Sequence, residues 1–270
     1  MTRSLFIFLL IPAFAVSGAV LTRAQTASLV SKAPDIDIPA RVALPRMAPE
    51  LAFQVYTKRA AEQSLRLTEY TDRTIVEAQL PDTNQHGEYE LLRAYRAPKS
   101  LSFATIKFTG DTFVKTNVIT RLLQSEVDHV EKGDPSASAI SDENYKINYK
   151  GQDTINSKLV HVFQLKPRRK VPGLIKGKIY LDAYTGSLVR AEGSIAKSPS
   201  FFVKKVDFTQ DFQDINGFTV PTELRSVSKA RIIGRAVVNI FHRGYDFRPV
   251  QPTEVPVGQP SSAQLNGSLK

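Results

Sequence analysis

Alternation of apolar and polar residues dominates this chain and predicts a protein built mainly of β-strands. Residues 67–80 are rich in β-branched and aromatic side chains, and further strands are expected at 88–96 and 101–108. Turn dipeptides such as Thr185-Gly186 and Asn216-Gly217 predict hairpins, so neighbouring strands should pair antiparallel. Seven more strands are predicted at 144–150, 157–167, 175–183, 187–196, 201–213, 217–229 and 234–247.

The spacing of apolar residues changes from two to about 3.6 at two places, which predicts two helices. Pro49 and Glu50 suit the first turn of a helix, and about four turns of helix-favouring residues follow them. The second helix is predicted from Thr116, its expected N-cap, to Lys132. A flexible connection is expected from 135 to 143. The apolar face of the second helix comprises Ile119, Leu122, Leu123, Val127 and Val130.

A sheet of about ten twisted antiparallel strands tends to curl upon itself, and the helices come from only two places in the chain. The predicted fold class is therefore α+β, mainly β. It is an unclosed antiparallel β-barrel of about ten to eleven strands, wrapped around lid helices. Alternation turns many apolar side chains inward, where they would line a hydrophobic cavity or fill an ordinary core. These side chains are Phe103, Phe163, Leu181, Phe202, Val206, Phe208, Phe212, Phe218 and Phe241.

The two ends of the chain differ from its middle. Residues 1–24 have Arg3 ahead of a long apolar run and end at Ala24, which is typical of a secretory signal peptide. An uncleaved membrane anchor is the alternative, because the apolar run approaches the length that a bilayer needs. The remaining divisions are a linker or arm at 25–46, one domain at 47–247 and a tail at 248–270 that is expected to be disordered.

The composition of the chain limits the cellular compartment and the binding partners that we expect. The chain has no cysteine, which excludes a lipid-attached mature N-terminus and a disulfide framework, so we expect a free, monomeric periplasmic protein. The net charge is +10 and falls to +8 without residues 1–24, which contain Arg3 and Arg23. This charge either fits peripheral contact with anionic lipid headgroups or an acidic partner, or only keeps the protein soluble, and nucleic acid is not expected outside the cytoplasm. The densest basic cluster includes Arg168, Arg169 and Lys170, and it is either a contact loop or a solvated loop.

Motifs for catalysis and for metal or nucleotide binding are absent from the sequence. It contains no C-x-x-C, H-E-x-x-H, Gly-rich phosphate loop or G-x-S-x-G, and its four histidines show no metal-ligand spacing. Asp182 and Glu192 lie on adjacent predicted strands and could form a carboxylate pair. An Asp before a Thr-Gly turn more often hydrogen-bonds its own backbone. We therefore predict no enzyme activity, no catalytic residue, no cofactor and no metal site.

Two segments resemble a known family. GKIYLDAYTGSLVRAEG at 177–193 and SFFVKKVDFTQDFQDINGFTVPTELRS at 200–226 are similar to the outer-membrane lipoprotein-sorting proteins, the LolA-like group with LolB and RseB as relatives. The resemblance covers roughly 47–247 and is sharpest from 141 onward. It implies an unclosed barrel that holds lipid or lipoprotein acyl chains in a hydrophobic cavity. The RseB relatives imply an alternative, a regulatory or scaffolding module that binds an inner- or outer-membrane partner protein.

The resemblance also implies a latch between the sheet and its lid. In carriers of this group an Arg directly before a Pro on an early strand tethers the lid by hydrogen bonds. The corresponding stretch here is Tyr95-Arg96-Ala97-Pro98, so Arg96 comes one residue early and would face the opposite side of the sheet. Arg93 shares a face with Tyr95 and Ala97, and is the alternative latch.

Overall fold

The computed structural model of the protein describes residues 45–197, 203–231 and 234–249. The predicted signal peptide, all but the last two residues of the predicted linker, all but the first two residues of the predicted tail, and Phe202 lie outside the described residues. No described helix combines the length and the apolar character needed to cross a bilayer.

The described residues contain ten antiparallel strands in one continuous sheet, which runs from β3 at one edge to β4 at the other in the order β3-β2-β1-β10-β9-β8-β7-β6-β5-β4. The first and last strands therefore meet at the centre of the sheet. The predicted unclosed, mainly β fold is confirmed. The strands are β1 Leu67–Leu80, β2 Gln85–Arg96, β3 Ser100–Gly110, β4 Tyr145–Ile155, β5 Lys158–Pro167, β6 Ile175–Asp182, β7 Leu188–Ile195, β8 Val203–Ile215, β9 Phe218–Ala230 and β10 Gly234–Pro249.

Two long helical segments lie on the inner side of the sheet. The first is α1, Pro49–Arg66. The second, here called the covering helix, is continuous through α2 (Thr112–Val114), a π-helical turn (Lys115–Ile119) and α3 (Thr120–Lys132). A short helix follows it, α4 (Pro135–Ser138).

The second predicted helix and the predicted connection after it need correction. The helix begins earlier than expected because its apolar pattern starts at the fully buried Val114, so Thr116 lies inside the π-helical turn and is not an N-cap. The connection predicted to be flexible contains α4. Its helical turn is capped by the Asp134 carboxylate, which accepts a hydrogen bond from the Ser136 amide at 2.9 Å.

The main core lies between the inner face of the sheet and two helical segments, the covering helix and α1, which contributes Tyr56. Ile119, Leu122 and Leu123 of the covering helix are all buried there. They belong to one apolar cluster with inward side chains of β2, β5 and β6, including Leu91, Leu165, Ile179 and Leu181. Truncating one such leucine to alanine typically costs about 2–5 kcal/mol, so this packing stabilises the position of the helix on the sheet.

Polar contacts hold α1 over the turn ends of β7, β8 and β9. Arg59 of α1 forms an ion pair with Asp214 at 2.8 Å and donates to the Ser187 hydroxyl at 2.6 Å. Gln63 forms two hydrogen bonds with the backbone of Thr219, at 2.9 and 3.0 Å. These contacts place Gln63 at the rim of the pocket described below.

Candidate functional site: a charged layer beside an apolar pocket

A buried polar layer crosses the inner face of the sheet at its centre. Asp72 on β1 lies directly opposite Arg93 on β2, and Thr74 on β1 lies directly opposite His242 on β10. All four side chains are buried. Because alternate residues of a strand share a face, Asp72 and Thr74 point to the same side as the core residue Val76.

Arg93 connects this layer to the covering helix. Its side chain is 0% exposed, and each guanidinium nitrogen has a partner. Nε donates to Asp72 Oδ2 at 2.6 Å, Nη1 to Glu126 Oε1 of α3 at 3.1 Å, and Nη2 to the Tyr245 hydroxyl at 2.9 Å. The guanidinium also lies 5.3 Å from the centre of the Tyr70 ring. One side chain thus binds a carboxylate of the sheet and a carboxylate of the helix at once.

Asp72 has further partners on its other side. Thr74 Oγ1 donates to Asp72 Oδ1 at 2.7 Å. His242 Nδ1 lies 3.1 Å from the same carboxylate oxygen and 2.9 Å from Thr74 Oγ1. A neutral imidazole protonated at Nδ1 can donate to this pair. We call Asp72, Thr74, Arg93, Glu126 and His242 together the charged layer.

Burial and neighbouring charge shift the pKa values of the layer in different directions. Burial would raise the pKa of Asp72, but Arg93 and His242 outweigh it and hold the pKa below its ordinary value. Burial raises the pKa of Glu126, and Arg93 offsets this only in part. Burial, with Arg93 adding to it, lowers the pKa of His242 to about 4, so the imidazole is neutral at pH 7. One cation, Arg93, therefore faces two carboxyl groups, of which Glu126 is the less firmly held as an anion.

An apolar pocket of about 140 Å³ lies on the far side of the charged layer from the main core. Tyr70 and Tyr245, whose rings flank Arg93, form its wall next to the layer. Val130 of α3 and Phe212 of β8 contribute to the other walls. A cavity of roughly 150 Å³ holds a benzene-sized group, so in this closed form the pocket admits only a short part of an acyl chain.

The residues predicted to line a cavity are distributed over the main core, the surroundings of the pocket and the outer face of the sheet. Phe163, Leu181 and Phe208 belong to the main core, and Phe103 packs against it while half-buried. Val206 is also half-buried. Phe212 belongs to the main core and also lines the pocket.

Phe218 and Phe241 lie apart from that core. Phe218 packs in a second cluster with Leu67, Tyr70 and Val220, next to the pocket. Phe241 differs from the expectation, because its neighbours Ile240 and His242 are the buried, inward residues of β10, so alternation places Phe241 on the outer face. There the Arg243 guanidinium lies 5.8 Å from its ring centre.

The two candidate latch residues, Arg93 and Arg96, lie on opposite faces of β2. Arg93 reaches the covering helix, as described. Arg96 faces the other side of β2, where its side chain is 72% exposed and lies 3.5 Å from Glu69. Of the covering-helix residues predicted from the sequence, Ile119, Leu122 and Leu123 are buried and Val127 is half-buried.

Two of the three residues of the basic loop, Arg168 and Arg169, form hydrogen bonds with the residues around the start of β4. Arg168 Nε donates to the carbonyl oxygens of Asp142 at 2.7 Å and Tyr145 at 3.2 Å. Arg169 Nη2 donates to the Asn144 side chain at 2.9 Å, whereas Lys170 is exposed. The two arginines therefore hold the start of β4, and they keep their charge while doing so.

Asp72, Glu126, His242 and Tyr245 were missed from the sequence. A signal for the first two was present, because Asp72 shares the inward face of β1 with Val76, and Glu126 lies on the apolar face of the covering helix. A charge at an inward position of a strand and another on the buried face of a helix suggest a buried ion pair. Tyr245 could not be placed by alternation, because the pairing of β1 with β10 shifts register between Thr71 and Arg73.

Comparisons with known proteins place solved LolA-like structures among the neighbours of this chain. A putative outer-membrane lipoprotein-sorting protein domain from Vibrio parahaemolyticus has 10% identity and a TM-score of 0.40, covering 74% of this chain and 93% of its own. A LolA superfamily protein from Nitrosomonas europaea has 9% identity and a TM-score of 0.37, covering 76% and 96%. The MucA/MucB complex structure from Pseudomonas aeruginosa has 12% identity and a TM-score of 0.26, covering 71% and 93%.

Sequence comparison adds no relative. No protein-family model matches the chain, and no curated protein matches it. The names of the Vibrio parahaemolyticus and Nitrosomonas europaea proteins belong to the group that the two quoted segments resemble. Because these identities are 12% or lower and the TM-scores are below 0.5, function is inferred from the side chains of this chain.

Proposed function

We propose that this protein is a periplasmic carrier or binding protein for lipid or lipoprotein acyl chains, and that the covering helix is its lid. The observation that supports this is the hydrogen bond of Arg93 to Glu126, which ties the helix to the sheet beside an apolar pocket. The proposal involves no catalytic step. Affinity would come from burial of apolar surface, about 0.8 kcal/mol per buried CH₂ group.

The charged layer is suited to opening. If the covering helix moves away, Arg93 loses Glu126 but keeps Asp72, so the guanidinium is not left without a counter-ion. Glu126 is the carboxyl group whose pKa is raised by burial, so its release to water relieves an unfavourable burial. The movement would uncover side chains of the main core that lie under the covering helix, such as Leu91, and these could then contact an acyl chain longer than the closed pocket admits.

Native mass spectrometry tests this proposal. Mature protein purified from a periplasmic extract without detergent should carry phospholipid or an acylated protein at near one equivalent. Uptake of a fluorescent fatty acid should be faster in Glu126→Gln, because loss of the charged hydrogen bond, worth about 1–2 kcal/mol, favours the open form roughly 5- to 30-fold. The matched control is Glu131→Gln, which removes the same charge from an exposed position of α3. A mass that stays free of lipid after incubation, with both variants behaving alike, would contradict the carrier.

A second candidate is an RseB-like regulatory or scaffolding module that binds a partner protein. The observation that favours it is that Phe163, Leu181 and Phe208, which were predicted to line a cavity, are buried in the apolar cluster of the main core. The two edge strands of the sheet, β3 and β4, offer backbone groups for pairing with a partner strand. A lipid-free mass together with capture of one membrane-protein segment would support this candidate over the carrier.

A further inference from the structure

Three lysines lie in a row across the outer face of the sheet, away from the pocket. Lys146 on β4 lies directly opposite Lys166 on β5. The register of β5 with β6, in which Leu165 lies opposite Gly177, places Lys166 opposite Lys176. All three side chains are exposed. Neighbouring strands are about 4.8 Å apart, so three positive charges follow one another at close spacing.

This row is electrostatically uncompensated. Like charges directly opposite each other destabilise a sheet. Within the described residues, none of the three lysines forms an ion pair with a carboxylate. Lys178, the next residue on the same face of β6, does have such a partner, Glu192 at 3.6 Å. A layer of anions against the row would therefore relieve the repulsion among its lysines.

The basic loop extends the row into a larger surface. Arg168 and Arg169 are held in place by their hydrogen bonds to the start of β4, and Lys170 follows them. Only two carboxylates, Asp142 and Glu143, occur in the segments 141–146 and 166–176 that carry these cations. We call the surface the basic rim; it consists of Lys146, Lys166, Arg168, Arg169, Lys170 and Lys176.

The composition of the basic rim favours a lipid surface over a protein as its partner. The cores of protein interfaces are depleted of lysine and depend on aromatic or other apolar anchors. The outward residues beside the lysine row are Asn148 and Gln164, both polar. An anionic bilayer needs only positive charge, and clusters of four to eight Lys and Arg residues are typical of proteins that bind one.

We propose that the basic rim docks this protein on an anionic bilayer through the phosphate headgroups. This extends the proposed carrier function, since a carrier must meet a membrane, but it does not require an occupied pocket. Each Lys or Arg near an anionic bilayer strengthens binding about fivefold, so loss of three should weaken it roughly 100-fold. Salt should weaken binding as well, because the contacts are exposed.

Vesicle co-sedimentation at low salt tests the docking surface. The full mature chain should bind vesicles of phosphatidylcholine with one quarter phosphatidylglycerol, and bind pure phosphatidylcholine vesicles far less. The triple variant Lys146→Gln, Lys166→Gln and Lys176→Gln should lose roughly 100-fold in affinity. Its thermal midpoint should stay the same or rise, because repulsion along the row is removed. The matched control is Lys58→Gln, Lys107→Gln and Lys229→Gln, which removes the same charge from exposed positions elsewhere.

Three results would overturn the proposal. Equal losses in the two triple variants would mean that net charge alone attracts the vesicles. Equal binding to both kinds of vesicle would mean that the net negative charge of the bilayer is not recognised, because phosphatidylcholine carries a phosphate that its choline group neutralises. Tighter binding of polyglutamate than of anionic vesicles, lost in the first triple variant only, would identify an acidic protein as the partner. A lipid-free pocket in the mass-spectrometry experiment leaves these outcomes unchanged, so the two proposals can fail separately.

Discussion

The inner face of the sheet differs on the two sides of the charged layer. On one side the covering helix packs against aliphatic residues such as Leu91 and Leu165, which are buried with it in one apolar cluster. On the other side Tyr70, Tyr245 and their neighbours leave a pocket of about 140 Å³. The same strands and the same alternation produce both. Alternation therefore decides which side chains face inward, and the element that covers them decides whether they become a core or a pocket.

The shapes of the side chains explain part of this difference. Branched aliphatic residues adapt to the ridges of a helix and reach the packing density of a crystal. Flat rings stack with each other instead, as Tyr245 does with Phe247 at a centroid distance of 5.6 Å and an interplanar angle of 6°. The charged layer lies between these two kinds of packing. Its charges stay in contact with one another, because a buried charge without a partner is strongly destabilising.

Removing the cation of the charged layer, which lies between the main core and the pocket, should have the largest effect on stability. Arg93→Met leaves Asp72 and Glu126 without a counter-ion in a buried site, so the free energy of unfolding should fall by about 3–5 kcal/mol. Urea unfolding at pH 7 measures this change. Arg96→Met is the control on the same strand, and it should change stability little because the Arg96 side chain is 72% exposed. Similar losses of stability in both variants would show that the buried ion pairs of Arg93 contribute no more than the exposed pair of Arg96.

Acid should weaken the charged layer through His242. Its pKa is about 4 in the folded protein and ordinarily 6.5, so between these pH values the unfolded chain binds a proton that the folded protein does not. The free energy of unfolding should therefore fall as the pH drops from 6.5 to 4, by about 3 kcal/mol from this residue. His242→Asn, which can still donate to Asp72, should remove that part of the pH dependence, whereas the exposed His86→Asn should keep the original profile. Parallel profiles for all three proteins would contradict a buried neutral imidazole.

Filling the pocket should have the smallest effect on stability and a clear effect on binding. Val130→Phe places a larger side chain at the pocket wall, so it should change the free energy of unfolding by no more than about 2 kcal/mol and lower affinity for a fluorescent fatty acid at least tenfold. Val127→Phe is the control, because Val127 is half-buried on the same helix and does not line the pocket. If Val127→Phe reduces binding and Val130→Phe does not, the ligand enters the main core instead.

The sequence predicted the strands closely and the site incompletely, for physical reasons. Strand β1 was expected at the bounds it has, because alternation and β-branched residues are local signals. Arg93 was found as an alternative latch through its face of β2, but its partner Glu126 depends on how the covering helix is rotated against the sheet. That rotation, and the volume left beside Tyr70, result from packing between segments far apart in sequence, which no local pattern records.

The pairing of the first strand with the last has a consequence for the order of folding. β10 lies between β1 and β9, so the centre of the sheet is complete only when residues 234–249 have joined it. His242 and Tyr245 are on that strand, so Arg93 acquires its full set of partners in the same event. Contacts that close such long loops form slowly, which leaves the half-formed sheet with two open edges at its middle. Until β10 is in place, the unpaired backbone groups of β1 and β9 are therefore open to pairing with another chain.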